Sequence, residues 1–173
     1  MTSPVRVGIV LGSDSDLETM METVKVLDTL GIGHEVVVAS AHRTPRRTEE
    51  WASSAAGRGL RVLIAAAGGA AALPGVVAAF SALPVIGVPL ASTSLNGLDA
   101  LLSIVQMPKG VPVATVAVGA WGAANAAILA AQILSVGDAE LAQRLAAYRK
   151  TLAEEVEERA RRVAEKLKQR SSG

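Results

Sequence analysis

Cysteine is absent from the 173-residue chain, which excludes a disulfide framework and any thiolate chemistry. Aromatic residues are almost absent as well: Trp51, Phe80, Trp121 and Tyr148 are the whole set. Since half of the residues are hydrophobic, the core must be built from Ala, Val, Leu and Ile, whose small side chains let elements pack closely. Histidine is scarce too. His34 and His42 stand alone, and two separated imidazoles with sparse loop carboxylates make no metal site. The formal charge is only +1, with 17 basic and 16 acidic side chains interleaved along the chain. There is thus no basic patch to steer a nucleic acid or a membrane surface, and neither is expected as a partner. The opening "MTSPVRVGIV" lacks the basic and apolar pattern of a signal peptide, so a cytoplasmic protein is expected.

Charge is also missing from one long stretch. Between Val62 and Gly137 the only acids and bases are Asp99 and Lys109. A membrane span is excluded because Gly68, Gly69, Pro74, Gly75, Pro84, Pro89 and Gly97 cut the region into pieces too short to cross a bilayer. What remains is a set of buried parallel strands alternating with helices that are apolar on more than one side. In a chain of this size, such helices predict cover from neighbouring subunits, above all over "GAANAAILAAQIL".

The length suits one α/β core better than two independent domains. Apolar runs predict strands over 5–12, 34–39, 61–67, 84–89 and 112–119, and the intervening patterns predict helices over 16–30, 45–56, 73–82, 95–106 and 123–134. Leu17, Met20, Met21, Val24 and Leu27 form one stripe of the first helix. Pro45 opens the second, where its missing N–H costs nothing. Five βα units with right-handed crossovers give an α/β three-layer αβα sandwich on a five-stranded parallel sheet, flavodoxin-like or Rossmann-like.

After Val136 the chain becomes a charged helical pattern with Leu141, Leu145, Tyr148, Leu152, Val156, Val163 and Leu167 on one side. Glu155 with Arg159, and Glu158 with Arg162, stand four residues apart, the spacing of helix ion pairs. Residues 1–137 are therefore read as the α/β domain, and 138–173 as a long C-terminal helical extension of it. The extension should lay its stripe on its own or a neighbouring subunit. The closing "SSG" is expected to be disordered.

Open parallel sheets bind ligands at the carboxyl ends of their strands. After the first strand, "GSDSD" offers the hydroxyls of Ser13 and Ser15 beside a helix start, a cradle for a phosphate or sugar. Ser15 or Asp16 could equally serve only as a helix cap. After the second strand, "SAHRTP" offers Ser40, Arg43 and His42, the one base near neutral pH in these loops. The alternative is a turn histidine, with Arg43 paired to a surface carboxylate. The third loop, "AAAGGAAALPG", offers backbone alone: Gly68 and Gly69 permit a flat ring or a carboxylate to lie against it. Ser92, Thr93, Ser94, Asn96 and Lys109 read mainly as turn and cap residues. No GxGxxG follows the first strand, so no dinucleotide is indicated. His34 opens the opposite edge of the sheet and reads as an ordinary surface residue.

These loops, with "PVIGVP", "LNGLDALLSIVQMPKGVPVATVAVG" and "GAANAAILAAQIL" in order, carry a resemblance over nearly the whole chain. It resembles the PurE family of class I 5-(carboxyamino)imidazole ribonucleotide mutases. The resemblance implies an octameric, flavodoxin-like enzyme of purine biosynthesis that needs no cofactor and moves a carboxylate from an exocyclic nitrogen to carbon 4 of an aminoimidazole ribonucleotide. It further implies substrate contacts from Ser13, Asp16 and Arg43, and acid/base work by His42. The family's usual GAGGAAHLPG reads here with Ala66 for its first glycine and Ala72 for its histidine, so a second site imidazole is missing. Ala120 and Trp121 also replace the small or basic residues common at those positions. The mutase is the leading expectation, ahead of a direct carboxylase that uses carbon dioxide and of a nucleotide-binding scaffold without turnover.

Overall fold

Strands with unbroken apolar runs take the middle of the sheet. In the computed structural model, which describes residues 4–171, β1 (Val5–Leu11), β3 (Val62–Gly68) and β4 (Val85–Leu90) lie side by side. They are flanked by β2 (Gly33–Val38) and β5 (Ala114–Thr115), in the order β2-β1-β3-β4-β5. Every pairing is parallel. All six residues of β4 are buried, as a strand covered on both faces must be. β2 has a neighbour on one side only, and its Val36 and Val38 reach solvent.

Helices cover both faces. On one, Ile9, Leu11, Ile64 and Ile86 pack with Met20 and Leu27 of α1 (Leu17–Thr29), Ala123, Ala127 and Ala130 of α5 (Ala120–Ser135), and Leu141 of α6 (Ala139–Ser171). On the other, Val10, Leu63 and Ala65 pack with Trp51 of α2 (Pro45–Ser54), Leu73 and Val77 of α3 (Leu73–Phe80), and Ile104 of α4 (Leu98–Val105). Close packing shows at Gly8, where an added Cβ would stand 2.8 Å from a ring carbon of Trp51. This is the expected αβα sandwich, flavodoxin-like with a long C-terminal helix.

Several boundaries differ from expectation by one to four residues, and three differences have a backbone reason. β5 is two residues long, not eight. Pro112 has no N–H to give. Farther on, Gly119 donates to the Pro89 carbonyl at 2.9 Å, but Pro89 offers no N–H in return, so the ladder cannot continue. α4 starts at Leu98, not 95, because Asn96 (φ 51°) and Gly97 (φ 85°) are left-handed. α1 starts at Leu17 behind a 3-10 turn over Asp14–Asp16.

The inner face of α5 is covered within the chain, its Ala123, Ala126, Ala127, Ala130 and Ala131 all lying in the core between the sheet, α1 and α6. The apolar stripe left open belongs to α4 and its lead-in instead, with Leu95, Leu98, Leu102 and Val105 each at least half exposed. α6 behaves as two halves. Leu141 and Leu145 are buried, whereas Leu152, Val156, Val163 and Leu167 are exposed. Arg159 pairs with Glu155 at 3.3 Å as the spacing predicts, but Glu158 takes Arg161 at i+3 and not Arg162. Of the terminal "SSG", Ser172 and Gly173 lie outside the described residues. Among the described residues no helix is long and apolar enough to cross a membrane.

Candidate active site

The strand order reverses direction between β1 and β3, and the crevice that such a reversal opens at the carboxyl ends is the usual place for a ligand. A cleft of about 410 Å³ lies there. Loops from β1, β2, β3 and β4 line it, contributing Ser13, Ser15 and Asp16; Ser40, His42 and Arg43; Gly68 and Ala72; and Ser92.

The β1 loop is tied down by hydrogen bonds. Gly12 donates its N–H to the Ala66 carbonyl at 3.2 Å, tying the loop to β3. Ser13 caps the 3-10 turn, its backbone N–H reaching Asp16 Oδ2 at 2.9 Å while Ser15 N–H reaches Ser13 Oγ at 3.4 Å. The cap is Ser13, with Asp16 closing the box, and neither Ser15 nor Asp16 caps α1 through its side chain; Ser13, Ser15 and Asp16 all face the cleft. Asp16 is buried, and that burial raises its carboxyl above the ordinary 3.8. Backbone hydrogen bonds from Ser13 and Gly12 oppose the rise, and the nearby Asp14 adds to it. A carboxylate buried at a cleft wall gains when a ligand brings hydroxyl donors to it.

The β2 loop is wound on itself. Thr44 donates its N–H to the Ser40 carbonyl at 2.8 Å, and Ser40 N–H reaches Thr44 Oγ1 at 2.9 Å. The Ser40 hydroxyl accepts from the Arg43 N–H at 3.2 Å and from Arg43 Nε at 3.5 Å. Arg43 is therefore aimed by Ser40, not by a surface carboxylate, and its terminal guanidinium nitrogens have no hydrogen-bond partner among the described residues. No hydrogen bond holds the His42 imidazole among the described residues, and the side chain is exposed. A turn histidine would have spent its ring nitrogens on the backbone. A second groove of about 370 Å³ continues from the cleft past Arg43 to Thr44 and Arg47.

The β3 loop forms the apolar wall. Gly68 permits a close approach, since a Cβ there would run into the Ser92 side chain. Gly69 (φ 61°) and Ala71 (φ 40°) turn the chain into α3, closed by Ala71 N–H on the Gly68 carbonyl at 3.1 Å. Gly69 itself faces Thr93 and does not line the cleft. Ala72 does line it, as His42 does, so the position where the resemblance led to the expectation of a second imidazole opens onto the same space. Ser92 is the lining residue that sequence reasoning set aside as a turn former. Its place directly after a strand end was the available signal.

His34 lies away from the cleft. It is largely buried, with Nδ1 3.1 Å from the Ile32 carbonyl and 3.9 Å from Asp28 Oδ1, and so is a packed residue more than a surface one. No group of three or more His, Asp or Glu side chains among the described residues could hold a metal.

Comparisons with known proteins identify the family. A family model described as AIR carboxylase matches residues 6–155. The N5-carboxyaminoimidazole ribonucleotide mutase of Pyrococcus horikoshii is 53% identical over 159 residues, covering 92% of this chain and 89% of its own. The Escherichia coli protein of the same name is 53% identical over 154 residues, covering 89% and 91%. The crystal structure of Treponema denticola PurE superposes with a TM-score of 0.78 at 32% identity, covering 88% of this chain and 94% of that one. With most of its length matched and its polar loops gathered at one cleft, the chain belongs to the AIR carboxylase family.

Proposed function

We propose that the cleft binds 5-(carboxyamino)imidazole ribonucleotide and shifts its carboxylate to carbon 4 of the ring, a mutase step in purine biosynthesis. The observation that carries this is convergence: an unengaged imidazole, an aimed guanidinium and a buried carboxylate come from separate loops to one apolar-walled space. Arg43, with Ser13, Ser15 and Ser40, is assigned the anionic and hydroxyl parts of the ribonucleotide. Asp16 accepts hydrogen bonds from ribose hydroxyls. The imidazole ring lies against Gly68 and the Ala72 wall, where few waters compete for the carboxylate.

The proton balance needs a single acid/base group. Protonated His42 delivers its proton to the exocyclic nitrogen as the N–C bond to the carboxylate breaks, leaving aminoimidazole ribonucleotide and carbon dioxide. Carbon 4 then attacks the trapped carbon dioxide, and neutral His42 takes the proton that carbon 4 loses. No electron is gained or lost, so no redox cofactor enters the scheme.

We read the protein as a homo-oligomer of the cytoplasm, an octamer on the strength of the resemblance, with residues 138–173 an extension of one α/β domain. The open stripe of Leu95, Leu98, Leu102 and Val105 supports association, because an apolar patch of that kind is seldom left to water. Sedimentation at micromolar concentration tests it, and a monomer would contradict it. The activity is tested by incubating the protein with 5-(carboxyamino)imidazole ribonucleotide and following the ring-carboxylated product. Absence of product from the unmutated chain would remove the mutase reading in favour of a binding scaffold.

A further inference from the structure

We infer that the Ser92 hydroxyl recognises the carboxylate of the bound ribonucleotide, held for that contact by a clip between Thr93 and Asp99. The inference rests on the proposed mutase reading, which leaves Ser92 without a role. Ser92 lines the cleft together with His42, Gly68 and Ala72. Its hydroxyl stands against the Gly68 backbone, since a Cβ on Gly68 would collide with that side chain. No hydrogen bond engages the Ser92 hydroxyl among the described residues, so an O–H donor is unspent beside the wall assigned to the imidazole ring. The polar loops after β1 and β2 are assigned the ribose and its anionic group. What the ring presents near Gly68 is then its own substituent, and a hydroxyl donor suits a carboxylate acceptor.

The loop that carries Ser92 is fixed on both sides of it. Gly97 (φ 85°) folds back on the residue before Ser92 so closely that an added Cβ would stand 3.3 Å from Ala91 Cα. On the other side, Thr93 Oγ1 donates to Asp99 Oδ2 at 2.6 Å and accepts from the Leu95 N–H at 3.1 Å, while the Asn96 N–H reaches the Thr93 carbonyl at 3.1 Å. Thr93 thus spends its hydroxyl on its own loop and on the first turn of α4. Asp99 is the only acid between Val62 and Gly137, and the Thr93 hydroxyl is the first cause that holds its carboxyl below the ordinary 3.8. An aspartate in a first helical turn also favours the helix by its charge alone. That simpler role needs no threonine beside it, and it predicts a loss of stability with no change in ligand preference.

Calorimetric titration with two ribonucleotides tests the contact: the ring-carboxylated product, and aminoimidazole ribonucleotide, which lacks the carboxylate. Ser92→Ala should weaken binding of the carboxylated ligand by roughly ten- to a hundredfold, the usual loss for a hydrogen bond to a charged group, and leave the other ligand unaffected. Thr93→Val, which removes the positioning hydroxyl, should show the same split to a lesser degree, and Thr93→Ser should restore the parent's preference. Ser92 is exposed, so the unfolding midpoint of Ser92→Ala should match the parent's. Equal losses for both ligands, or no loss from Ser92→Ala, would overturn the assignment. A Thr93→Val variant that unfolds earlier yet keeps the parent's preference would remove the clip and leave Asp99 as a helix brace. Turnover by the parent separates the contact from the mutase step. An inert parent whose Ser92→Ala variant shows the split loses the mutase step and keeps the contact. A parent that turns over substrate, while Ser92→Ala binds both ligands unchanged, keeps the mutase step and loses the contact.

Discussion

The two ends of the sheet carry grooves of nearly equal size and opposite character. At the carboxyl end the cleft measures about 410 Å³. At the amino end a groove of about 390 Å³ runs between Arg6, Ile32, Glu140 and Arg144. Both are lined by arginine. In the amino-end groove, however, the charges are already engaged: Arg6 Nη1 is 2.8 Å from Asp138 Oδ2, and Arg144 Nε donates to the Leu30 carbonyl at 3.0 Å. Those bonds fasten α6 to the body. In the carboxyl-end cleft the loops are satisfied among themselves, through Ser40, Thr44 and Ser13, in a way that leaves His42 and the tips of Arg43 unspent. What marks the site is hydrogen-bonding capacity held in place but not used, and volume is no guide.

Two aspartates show the same contrast in their titration. Burial raises Asp16 at the cleft above the ordinary 3.8. At the other end Asp138 is held below 3.8, first by the Leu141 N–H that it caps and then by Arg6. The native fold thus resists ionising the first and favours ionising the second, so one carboxylate costs stability where the other supplies it.

The sharpest break in the comparison is His42→Asn, which should lower kcat by about 10²- to 10⁴-fold, the usual share of a general acid/base, while the unfolding midpoint holds. A variant as active as the parent would remove His42 from its role. Next, Arg43→Ala should lower kcat/KM by roughly ten- to a hundredfold, since hydrogen bonds to a charged partner contribute about 1.5–3 kcal/mol. The matched change at the amino end, Arg6→Ala, should leave kcat/KM alone and lower thermal stability. Equal losses of activity from both arginines would erase the distinction between the ends. A smaller effect of the opposite sign is expected from Ala72→His, which adds a second imidazole to the cleft that His42 lines and should raise kcat. An unchanged kcat would show that the position only shapes the wall.

The finest test uses pH. Asp138 contributes stability at pH above 3.8 that is lost as pH falls below 3.8 through its lowered native value. The unfolding midpoint of Asp138→Asn should accordingly lie below the parent's near neutrality and approach it in acid. Asp16 has the reverse sign. Its penalty is absent below 3.8 and appears as pH rises from 3.8 through its raised native value. Asp16→Asn should gain on the parent as pH rises over that window, and parallel titrations of the two variants would refute the assigned causes.

Much of this could be read in the chain before folding. Uninterrupted runs such as "VLIAAA" mark strands covered on both faces, and "SAHRTP" and "GSDSD" mark strand-end loops because side chains able to act stand where an apolar run stops. Less legible were features that depend on partners distant in sequence. The length of β5 depends on Pro89 in its neighbour, which offers a carbonyl but no N–H. Ser92 looked like a turn former until Gly68 was found packed against it. The choice of Arg161 over Arg162 by Glu158 is a matter of rotamers on an exposed helix, which spacing does not resolve.

Local chemistry in the sequence determined the alternation of strands and helices, the identity of the one available base and the apolar stripe of α6, since each follows from residue type and period alone. Only the tertiary structure decided that four loops meet. Their meeting depends on the strand order β2-β1-β3-β4-β5, in which the chain reverses direction beside β1. That order is set by packing many buried side chains at once, not by any one segment. It brings His42 and Ala72, thirty positions apart in the chain, to the walls of one cleft.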